Sequence, residues 1–544
     1  MDEIIYTIRY TWKHYKLKIP CTVMMLSLLI DVVAGRYVLS PGVRLSQDSP
    51  VPIELATYSL RLVLILLCIS SAVIPVMMIR YSDATGGRSC FIDMRETGRT
   101  YHELLRYYKD ANPYRLDVKD YPVGSWKYNE GVILGQTSGH TICRSAFENG
   151  GEGHNYALFA QPGAGKTTCQ IIPTALNFAG SILAIDIKGD IYNATHNRRR
   201  IKCFCPDEPG NSCHYNPLGQ IGKMTVDERR TYLEQMAAVI VPEDKENKYW
   251  HETARALFIG ISLHCLEGDI GITLPEISKK ILLGNAVDWV MTIKDGDCKE
   301  AQAYTNSMYG SSEKNISGAY AELAKNVRPF ASGKLAGLLD DKGDSLSPES
   351  LLRNDIYIII PQDKIQIYAP ISSILLQDFM SFFMRRNDIT SGEKKRPVLF
   401  LLDEFAQLRI EADYLLAALA TLRSKCVSLF LCMQSLAQLS SKYGDNGCQA
   451  IMDCCQTISV MSAQDPESRK WFQSLVGTEK VLKVSTNTSG PGDFQNGWPQ
   501  GGGRSVQEVR EPIFQPEDFA NLGSKVLIYT KGKYTLADKT PWYK

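Results

Sequence analysis

Two apolar segments, at about 19–39 and 60–80, dominate the hydropathy pattern near the N-terminus. Each is long enough to cross a bilayer core of about 30 Å as a helix that rises about 1.5 Å per residue. The second has no charged residue over positions 62–79, whereas Asp31 interrupts the first. Basic residues lie mainly outside the pair, at Arg9, Lys13, Lys16, Lys18, Arg80, Arg88, Arg95 and Arg99. This bias predicts two transmembrane helices with both termini in the cytoplasm; a buried helical hairpin is the alternative.

From about residue 81 the pattern becomes that of a globular domain. Apolar runs of strand length alternate with helical stretches, which is typical of an α/β domain built on a largely parallel sheet. Between 224 and 345, however, long β-branched runs are missing. Apolar residues recur there at helical spacing, as at Ala254, Leu257, Phe258 and Ile261. The pattern therefore predicts an all-helical insertion in an α/β core.

A strand, a glycine-containing turn and a helix follow one another at 156–177, in the order of a phosphate-binding loop. The glycines of such a loop let backbone N–H groups converge on the phosphates, and the helix N-terminus adds partial positive charge. Lys166 would reach the β- and γ-phosphates and Thr167 would ligate Mg²⁺. The usual pattern G-x-x-x-x-G-K-[ST] has Gly where this chain has Ala160, so a plain glycine-rich turn is the alternative. The predicted binding residues are Gly163, Ala164, Gly165, Lys166, Thr167 and Thr168.

An apolar run at 398–402 is followed by Asp403 and Glu404, which is typical of a Walker B strand. Asp403 would hold Mg²⁺, and Glu404 would act as general base on the attacking water. A capping Asp-Glu pair at a strand end is the alternative, but the phosphate loop favours catalysis. The next apolar run, 427–432, leads to Gln434. Gln434 would sense the γ-phosphate or, alternatively, bond only to backbone.

These patterns together predict a RecA-like P-loop nucleotide-binding domain, with an inserted all-helical domain and two transmembrane helices before it. The expected activity is hydrolysis of ATP. The predicted boundaries are 1–80 for the membrane anchor, 81–223 and 346–544 for the two parts of the nucleotide-binding domain, and 224–345 for the all-helical domain.

Composition adds only limits to this interpretation. Lys and Arg total 60 against 59 Asp and Glu, so the net charge of +1 carries no global signature of a nucleic-acid binder. Any DNA contact must come from a few local loops. The 15 cysteines are scattered through a long chain and are expected to be reduced. Cys203, Cys205, Cys213 and His214 have poor spacing for structural zinc.

Seven motifs in order resemble those of the type IV secretion coupling proteins of conjugative DNA transfer, and the resemblance covers nearly the whole chain. Asp190 stands where the family's D-x-K-G-E has Glu. The motifs are Ile171-Ile172-Pro173, Asp186-Ile187-Lys188-Gly189-Asp190, Tyr215-Asn216-Pro217-Leu218, Trp250 with Ala254 and Arg255, Phe405 with Leu408, Gln434-Ser435-Leu436 with Gln438-Leu439 and Tyr443-Gly444, and Arg510 with Pro516.

The resemblance implies a DNA-translocating ATPase of the bacterial inner membrane, with ATP and Mg²⁺ as cofactors and a homohexameric ring as its assembly. It implies several partners: single-stranded DNA with its covalent relaxase, other relaxosome proteins and components of the secretion channel. It also implies that Arg423 acts as an arginine finger in the ATP site of the neighbouring subunit. A solvated arginine at a helix end is the alternative for Arg423.

Two other functions fit the same ATPase motifs. A coupling ATPase that carries only protein effectors would use identical chemistry. A DNA pump of the FtsK or HerA kind, or a non-motor nucleotide-binding scaffold, would share the phosphate loop. The long linkers and C-terminal DNA-reading module usual in FtsK-like motors are not found in the sequence. The glycine-rich segment at 488–504, with Phe494 and Trp498, is expected to be a surface loop or a mobile element near the channel.

Overall fold

A computed structural model describes residues 97–112, 114, 131–137, 140–145, 147–148, 152–242, 247–388, 395–486 and 504–543. The two predicted transmembrane helices lie outside these residues, as does almost all of the 488–504 segment. The chain divides into two compact units. The smaller contains residues 1–113 and 478–512, and the larger contains residues 114–477 and 513–544.

The larger unit is organised around a mixed sheet. The described strands of the chain are β1 (Gly131–Thr137), β2 (His140–Ser145), β3 (Phe147–Glu148), β4 (Glu152–Gly153), β5 (Tyr156–Phe159), β6 (Ser181–Ile187), β7 (Ile201–Phe204), β8 (Asp355–Ile360), β9 (Val398–Leu402), β10 (Val427–Met433), β11 (Thr457–Val460), β12 (Thr478–Thr486), β13 (Arg504–Pro512), β14 (Lys525–Thr530) and β15 (Lys533–Asp538).

Within the described residues this sheet has 11 strands, in the order β2-β1-β15-β14-β11-β5-β10-β9-β6-β8-β7. The strands from β11 to β7 run parallel, and the four from β14 to β2 add antiparallel strands at one edge. The sheet is therefore mixed rather than purely parallel. All five residues of β9 are fully buried, as expected for a parallel strand covered on both faces. The apolar run at 398–402 is confirmed as β9, and β10 extends one residue beyond the predicted run at 427–432, to Met433.

Helices cover both faces of the sheet, and a run of them lies between β7 and β8 in the sequence. The described α-helices are α1 (Tyr101–Ala111), α2 (Ile172–Asn177), α3 (Asp190–Thr195), α4 (Val226–Ile240), α5 (Lys248–Gly268), α6 (Leu274–Leu283), α7 (Ala286–Asp295), α8 (Lys299–Thr305), α9 (Glu313–Ala331), α10 (Gly333–Ala336), α11 (Ile365–Met384), α12 (Ala412–Thr421), α13 (Leu436–Asp453) and α14 (Pro466–Val476).

Helices α4 to α10, which lie between β7 and β8 in the sequence, form the helical segment. Capping boxes at Thr225 and Thr273 begin α4 and α6, because each threonine and the glutamate three residues later satisfy each other's backbone N–H groups. The predicted apolar face of α5, which includes Leu257 and Phe258, is fully buried. Helical spacing in the sequence was therefore a correct guide to this part of the core.

One described helix, Gln362–Met384, is long and apolar enough to cross a membrane. It comprises a short 3₁₀ turn followed by α11, and most of it is buried inside the larger unit. Its apolar character is accounted for by packing against β8, α4 and α12.

The described part of the smaller unit is α1 and the hairpin β12–β13. The hairpin pairs antiparallel from Thr478 with Pro512 to Thr486 with Arg504. The guanidinium of Arg99 contacts Glu508 at 3.1 Å, which ties the start of α1 to the hairpin. In the sequence the predicted loop at 488–504 lies between β12 and β13, and all of it except Arg504 is outside the described residues.

The buried ion pair of Arg199 and Asp355 joins three elements of the larger unit. Asp355 begins β8 and accepts a bond from the backbone N–H of Ile182 in β6 as well as two from the Arg199 guanidinium, at 2.5 and 3.1 Å. Arg199 also donates to the carbonyl oxygens of Ala175, Phe178 and Gly180. The pair satisfies carbonyls in the last turn of α2 and just after it, and it fixes the start of two parallel strands.

We predict that Arg199→Met destabilises the protein by about 3–5 kcal/mol, because it leaves a buried carboxylate unpaired. The free energy of unfolding is measured by urea denaturation. The matched control is Lys202→Met, which breaks the exposed Lys202–Asp344 pair and is expected to cost less than about 1 kcal/mol. Equal losses of unfolding free energy in the two variants would show that the Arg199–Asp355 pair does not stabilise the sheet.

Candidate active site

A cleft of about 320 Å³ opens at one edge of the sheet in the larger unit. Its walls come from residues that directly follow β5, β6, β9 and β10. Because these strands are parallel, their carboxyl ends lie at the same edge, where α/β proteins bind ligands. The lining residues include Gly163, Gly165, Lys166, Thr167, Thr168, Lys188, Asp190, Asp403, Glu404, Gln407 and Gln434.

The loop after β5 has the backbone of a phosphate-binding loop. Gly163 and Gly165 adopt left-handed conformations, with φ of +80° and +93°. A Cβ at Gly165 would come within 3.0 Å of the Cys169 sulfur, so this position requires glycine on both grounds. Ala164 is not among the residues that line the cleft, and its N–H donates to the carbonyl of Gln161 at 3.0 Å.

The predicted helix after this loop begins with a π-helical turn, Thr167–Ile171, and continues as α2. The N–H of Ile172 donates to the carbonyl of Thr167, five residues earlier. Pro173 follows directly and has no N–H to offer to a regular α-helical bond. Wider turns of this kind are frequent at functional sites, and here the turn begins at the predicted Mg²⁺ ligand.

Lys166 lies between the two acids that follow β9. Its Nζ is 2.6 Å from Asp403 Oδ1 and 2.6 Å from Glu404 Oε1, and all three side chains are largely buried. Burial by itself lowers the pKa of Lys166, but attraction to Asp403 and Glu404 outweighs it and raises that pKa. Lys166 is therefore a permanent cation in the cleft. Burial raises the pKa of Asp403, which the ammonium only partly offsets.

Glu404 is held in one position by its backbone and by both carboxylate oxygens. Its φ of +47° is left-handed, which is uncommon for a residue other than glycine and is concentrated at functional sites. Oε1 accepts from Lys166, and Oε2 accepts from the side-chain amide of Gln434 at 3.1 Å. The structure thus brings Lys166, Asp403, Glu404 and Gln434 together, as the sequence predicted. The amide of Gln434 reaches a side chain rather than only backbone.

Arg423 does not line this cleft. It precedes β10, and its Nε donates to the carbonyl of Gly153 at 3.2 Å. Gln434 follows the same strand, so the seven residues of β10 separate the two by roughly 20 Å, at about 3.3 Å per residue. Within one chain, Arg423 is at the opposite edge of the sheet from the phosphate loop.

A family model described as "Type IV secretory system Conjugative DNA transfer" matches residues 118–544, which include the whole cleft. The chain belongs to this family. Among curated relatives, it is 25% identical to "Protein VirD4" of Agrobacterium fabrum over 408 residues, covering 72% of this chain and 59% of that protein. It is 23% identical to "Conjugal transfer protein TraG" of Escherichia coli over 429 residues, covering 71% and 66%. The match to VirD4 therefore spans less than two thirds of that protein's length.

Solved structures of a conjugative coupling protein share the fold. The unbound monoclinic form of TrwBdeltaN70 superposes with a TM-score of 0.56 at 15% identity, covering 76% of this chain and 90% of that one. TrwB in complex with the ATP analogue ADPNP superposes with a TM-score of 0.55 at 16% identity, covering 71% and 85%. At these identities the likeness establishes the TrwB-like α/β fold with its central mixed sheet.

The D-x-K-G motif of the family has two distinct roles in the structure. Asp186 at the end of β6 is buried, which raises its pKa to about 7, and it accepts a bond from the backbone N–H of Tyr192 at 2.8 Å. It therefore secures the start of α3. Lys188 and Asp190 instead line the cleft, and Lys188 has a left-handed φ of +92°. In the sequence, Lys188 and Asp190 stand out only as part of a motif. Their place just after a parallel strand was the signal for a site role.

The described residues contain no group of three or more His, Cys, Asp or Glu side chains placed to hold a metal ion. Of the residues considered for zinc, His214 pairs with Asp340 at 2.6 Å and the Cys213 sulfur contacts Asp344.

Proposed function

We propose that this chain is a membrane-anchored ATPase that couples relaxase-bound DNA to a type IV secretion channel and drives its transfer by ATP hydrolysis. The observation that carries the proposal is the meeting of the phosphate loop with the Walker B acids in one cleft, with Lys166 at 2.6 Å from both Asp403 and Glu404. Residues 238 positions apart meet there at the carboxyl ends of parallel strands, which is where α/β proteins bind ligands.

ATP and Mg²⁺ fit the donor set of the cleft. TrwB has been solved in complex with ADPNP and with ADP and Mg²⁺. Here Asp403 and Thr167 line the cleft and offer the oxygen ligands that Mg²⁺ prefers. When bound, Mg²⁺ would neutralise charge on the phosphate oxygens. Thr167 and Asp403 would hold it.

The remaining chemistry comes from the protein. Glu404 would accept the proton of a water whose oxygen attacks the γ-phosphorus, while the bond from that phosphorus to the β–γ bridging oxygen breaks and leaves ADP. Lys166 would transfer its hydrogen bonds from the carboxylates to phosphate oxygens. Gln434, which is already bonded to Glu404, would report whether the γ-phosphate is present.

A homohexameric ring would place Arg423 in the ATP site of the next subunit. The geometry within one chain supports a role in trans, because Arg423 lies a full strand length from its own cleft. A guanidinium supplied by a neighbour would stabilise transition-state charge and make hydrolysis depend on assembly.

The loop that carries Glu404 also contacts the helical segment. Arg409 is 3.5 and 3.4 Å from the carbonyl oxygens of Val239 and Ile240 at the C-terminus of α4. Arg255 of α5 donates to the carbonyl of Val241 at 2.8 Å and pairs with Glu411 at 3.5 Å. These contacts would transmit movement of the Walker B loop to the predicted all-helical domain at 224–345.

We propose the membrane anchor, the cargo and the domain boundaries because the chain belongs to this family. The segments at 19–39 and 60–80 would anchor the protein in the inner membrane with both termini in the cytoplasm. The pore of the ring would take single-stranded DNA with its relaxase, delivered by relaxosome proteins and passed to channel components. The nucleotide-binding domain would comprise 81–223 and 346–544.

We predict that Glu404→Gln retains ATP binding but lowers turnover at least about 100-fold, because it removes the general base and leaves the phosphate loop intact. Binding is measured with labelled ATP and turnover by phosphate release. Glu411→Gln, in the same loop but facing Arg255, is the control and is expected to hydrolyse ATP normally. Normal hydrolysis by Glu404→Gln would remove Glu404 from its role.

We predict that single-stranded DNA stimulates ATP hydrolysis and that stimulation falls as salt rises, because contacts with phosphates compete with counterions. The rate is measured against single-stranded and duplex DNA at several salt concentrations, with Lys166→Ala as the inactive control. A rate of ATP hydrolysis that is the same with and without DNA at low salt would favour the coupling ATPase that carries only protein effectors.

We predict that Arg423→Ala loses most hydrolysis and that mixing it with Lys166→Ala subunits restores part of it, since some interfaces then combine an intact Lys166 with an intact Arg423. The exposed Arg198 provides a control variant, Arg198→Ala, that is expected to keep full activity. Absence of rescue at every mixing ratio would contradict the assignment in trans.

A further inference from the structure

The segment after β15 is attached to the phosphate loop. The backbone N–H of Trp542 donates to the carbonyl oxygen of Thr168 at 3.0 Å, and Thr168 lines the cleft. The indole of Trp542 is 43% exposed, and the neighbouring ring of Tyr543 is 64% exposed. The two rings meet edge to face, with centroids 6.0 Å apart. An aromatic pair therefore stands in solvent beside the predicted triphosphate site.

This segment is held in place by two further bonds. The N–H of Lys539 donates to the carbonyl of Ser524 at 2.8 Å, and its Nζ donates to the carbonyl of Met461 at 3.1 Å. Met461 directly follows β11 and is itself bonded through its N–H to Phe159, the last residue of β5. The position of Trp542 is thus set by the same strands that set the phosphate loop.

The direction of a bound nucleotide follows from the order of strands. Lys166 and Glu404 fix the reactive phosphate on the side of β10 and β9. The loop would hold the phosphates, and the nucleoside would extend past the helical turn that follows the loop, at Thr168. On that side of β5 the sheet continues through β11 and β14 to β15, which leads to Trp542.

Exposure of the indole has an energetic cost. Tryptophan is on average highly buried, because its large apolar surface is costly to leave in water. Backbone and side-chain bonds nevertheless hold this segment so that the ring stands outside the core, next to the loop that binds the polar end of the ligand. A flat purine placed against the indole would cover this surface.

We infer that Trp542 is the platform on which the base of the nucleotide stacks, with Tyr543 supporting the indole edge to face. The inference rests on the nucleotide-binding function proposed above and assigns the residue that binds the base. Stacking uses the π-face that every base has, so this contact would bind adenine and guanine alike rather than select between them.

The experiment measures equilibrium binding of MgATP, MgGTP and inorganic tripolyphosphate to the full-length protein. Trp542→Ala should weaken binding of both nucleotides by about 5- to 100-fold, the range found when a stacking aromatic is truncated to alanine. Binding of tripolyphosphate, which has no base, should change less than about 2-fold. Trp542→Phe should restore most of the affinity for both nucleotides because it retains an aromatic face.

Trp250→Ala is the matched control, because Trp250 has nearly the same exposed fraction, 45%, and lies in the helical segment. It should bind all three ligands as the unmodified protein does. The inference is overturned if Trp542→Ala binds MgATP normally, or if its affinity for tripolyphosphate falls by the same factor, since the residue would then support only the loop. Failure of the unmodified protein to bind any of the three would instead overturn the proposed nucleotide-binding function, and this inference with it.

Discussion

The buried contact of Lys166 with Asp403 and Glu404 is the interaction on which the site depends. It joins residues 238 positions apart, Lys166 and Glu404, and places one ammonium between two carboxylates out of solvent. Charges in such surroundings are costly to leave unpaired and interact more strongly than in water. The cluster therefore requires that β5 and β9 keep their positions on either side of β10. Both strands pair with β10 along parallel ladders.

Two residues of the cleft have strained backbones, and both follow buried strands of the sheet. Glu404 and Lys188 have left-handed backbones although neither is glycine. Lys188 directly follows β6 and Glu404 is the second residue after β9, and all residues of both strands are buried. Conformations of this kind persist where the surrounding structure imposes them. Pairing of β9 with β6 and β10 fixes the positions of the residues that follow these strands at the cleft.

The two sides of the cleft are bonded to different parts of the larger unit. On the side of β9, the loop after Glu404 reaches the C-terminus of α4 through Arg409, which connects this side of the cleft with the helical segment. On the side of β11, the segment after β15 bonds to Thr168 through Trp542. In the function that we propose, the first side transmits movement and the second holds the nucleoside, and the phosphate loop is common to both.

Local pattern was sufficient for the strands that carry the chemistry, for the helical segment, and for Lys166, Asp403, Glu404 and Gln434. A buried parallel strand reads as an apolar run, and polar residues at its end are visible without knowledge of its neighbours. The bond from Tyr192 of α3 to Asp186 and the attachment of Trp542 to Thr168 had no such signature. They depend on which strands become neighbours and where separate loops converge. That is decided by packing over long sequence distances, which no local period records.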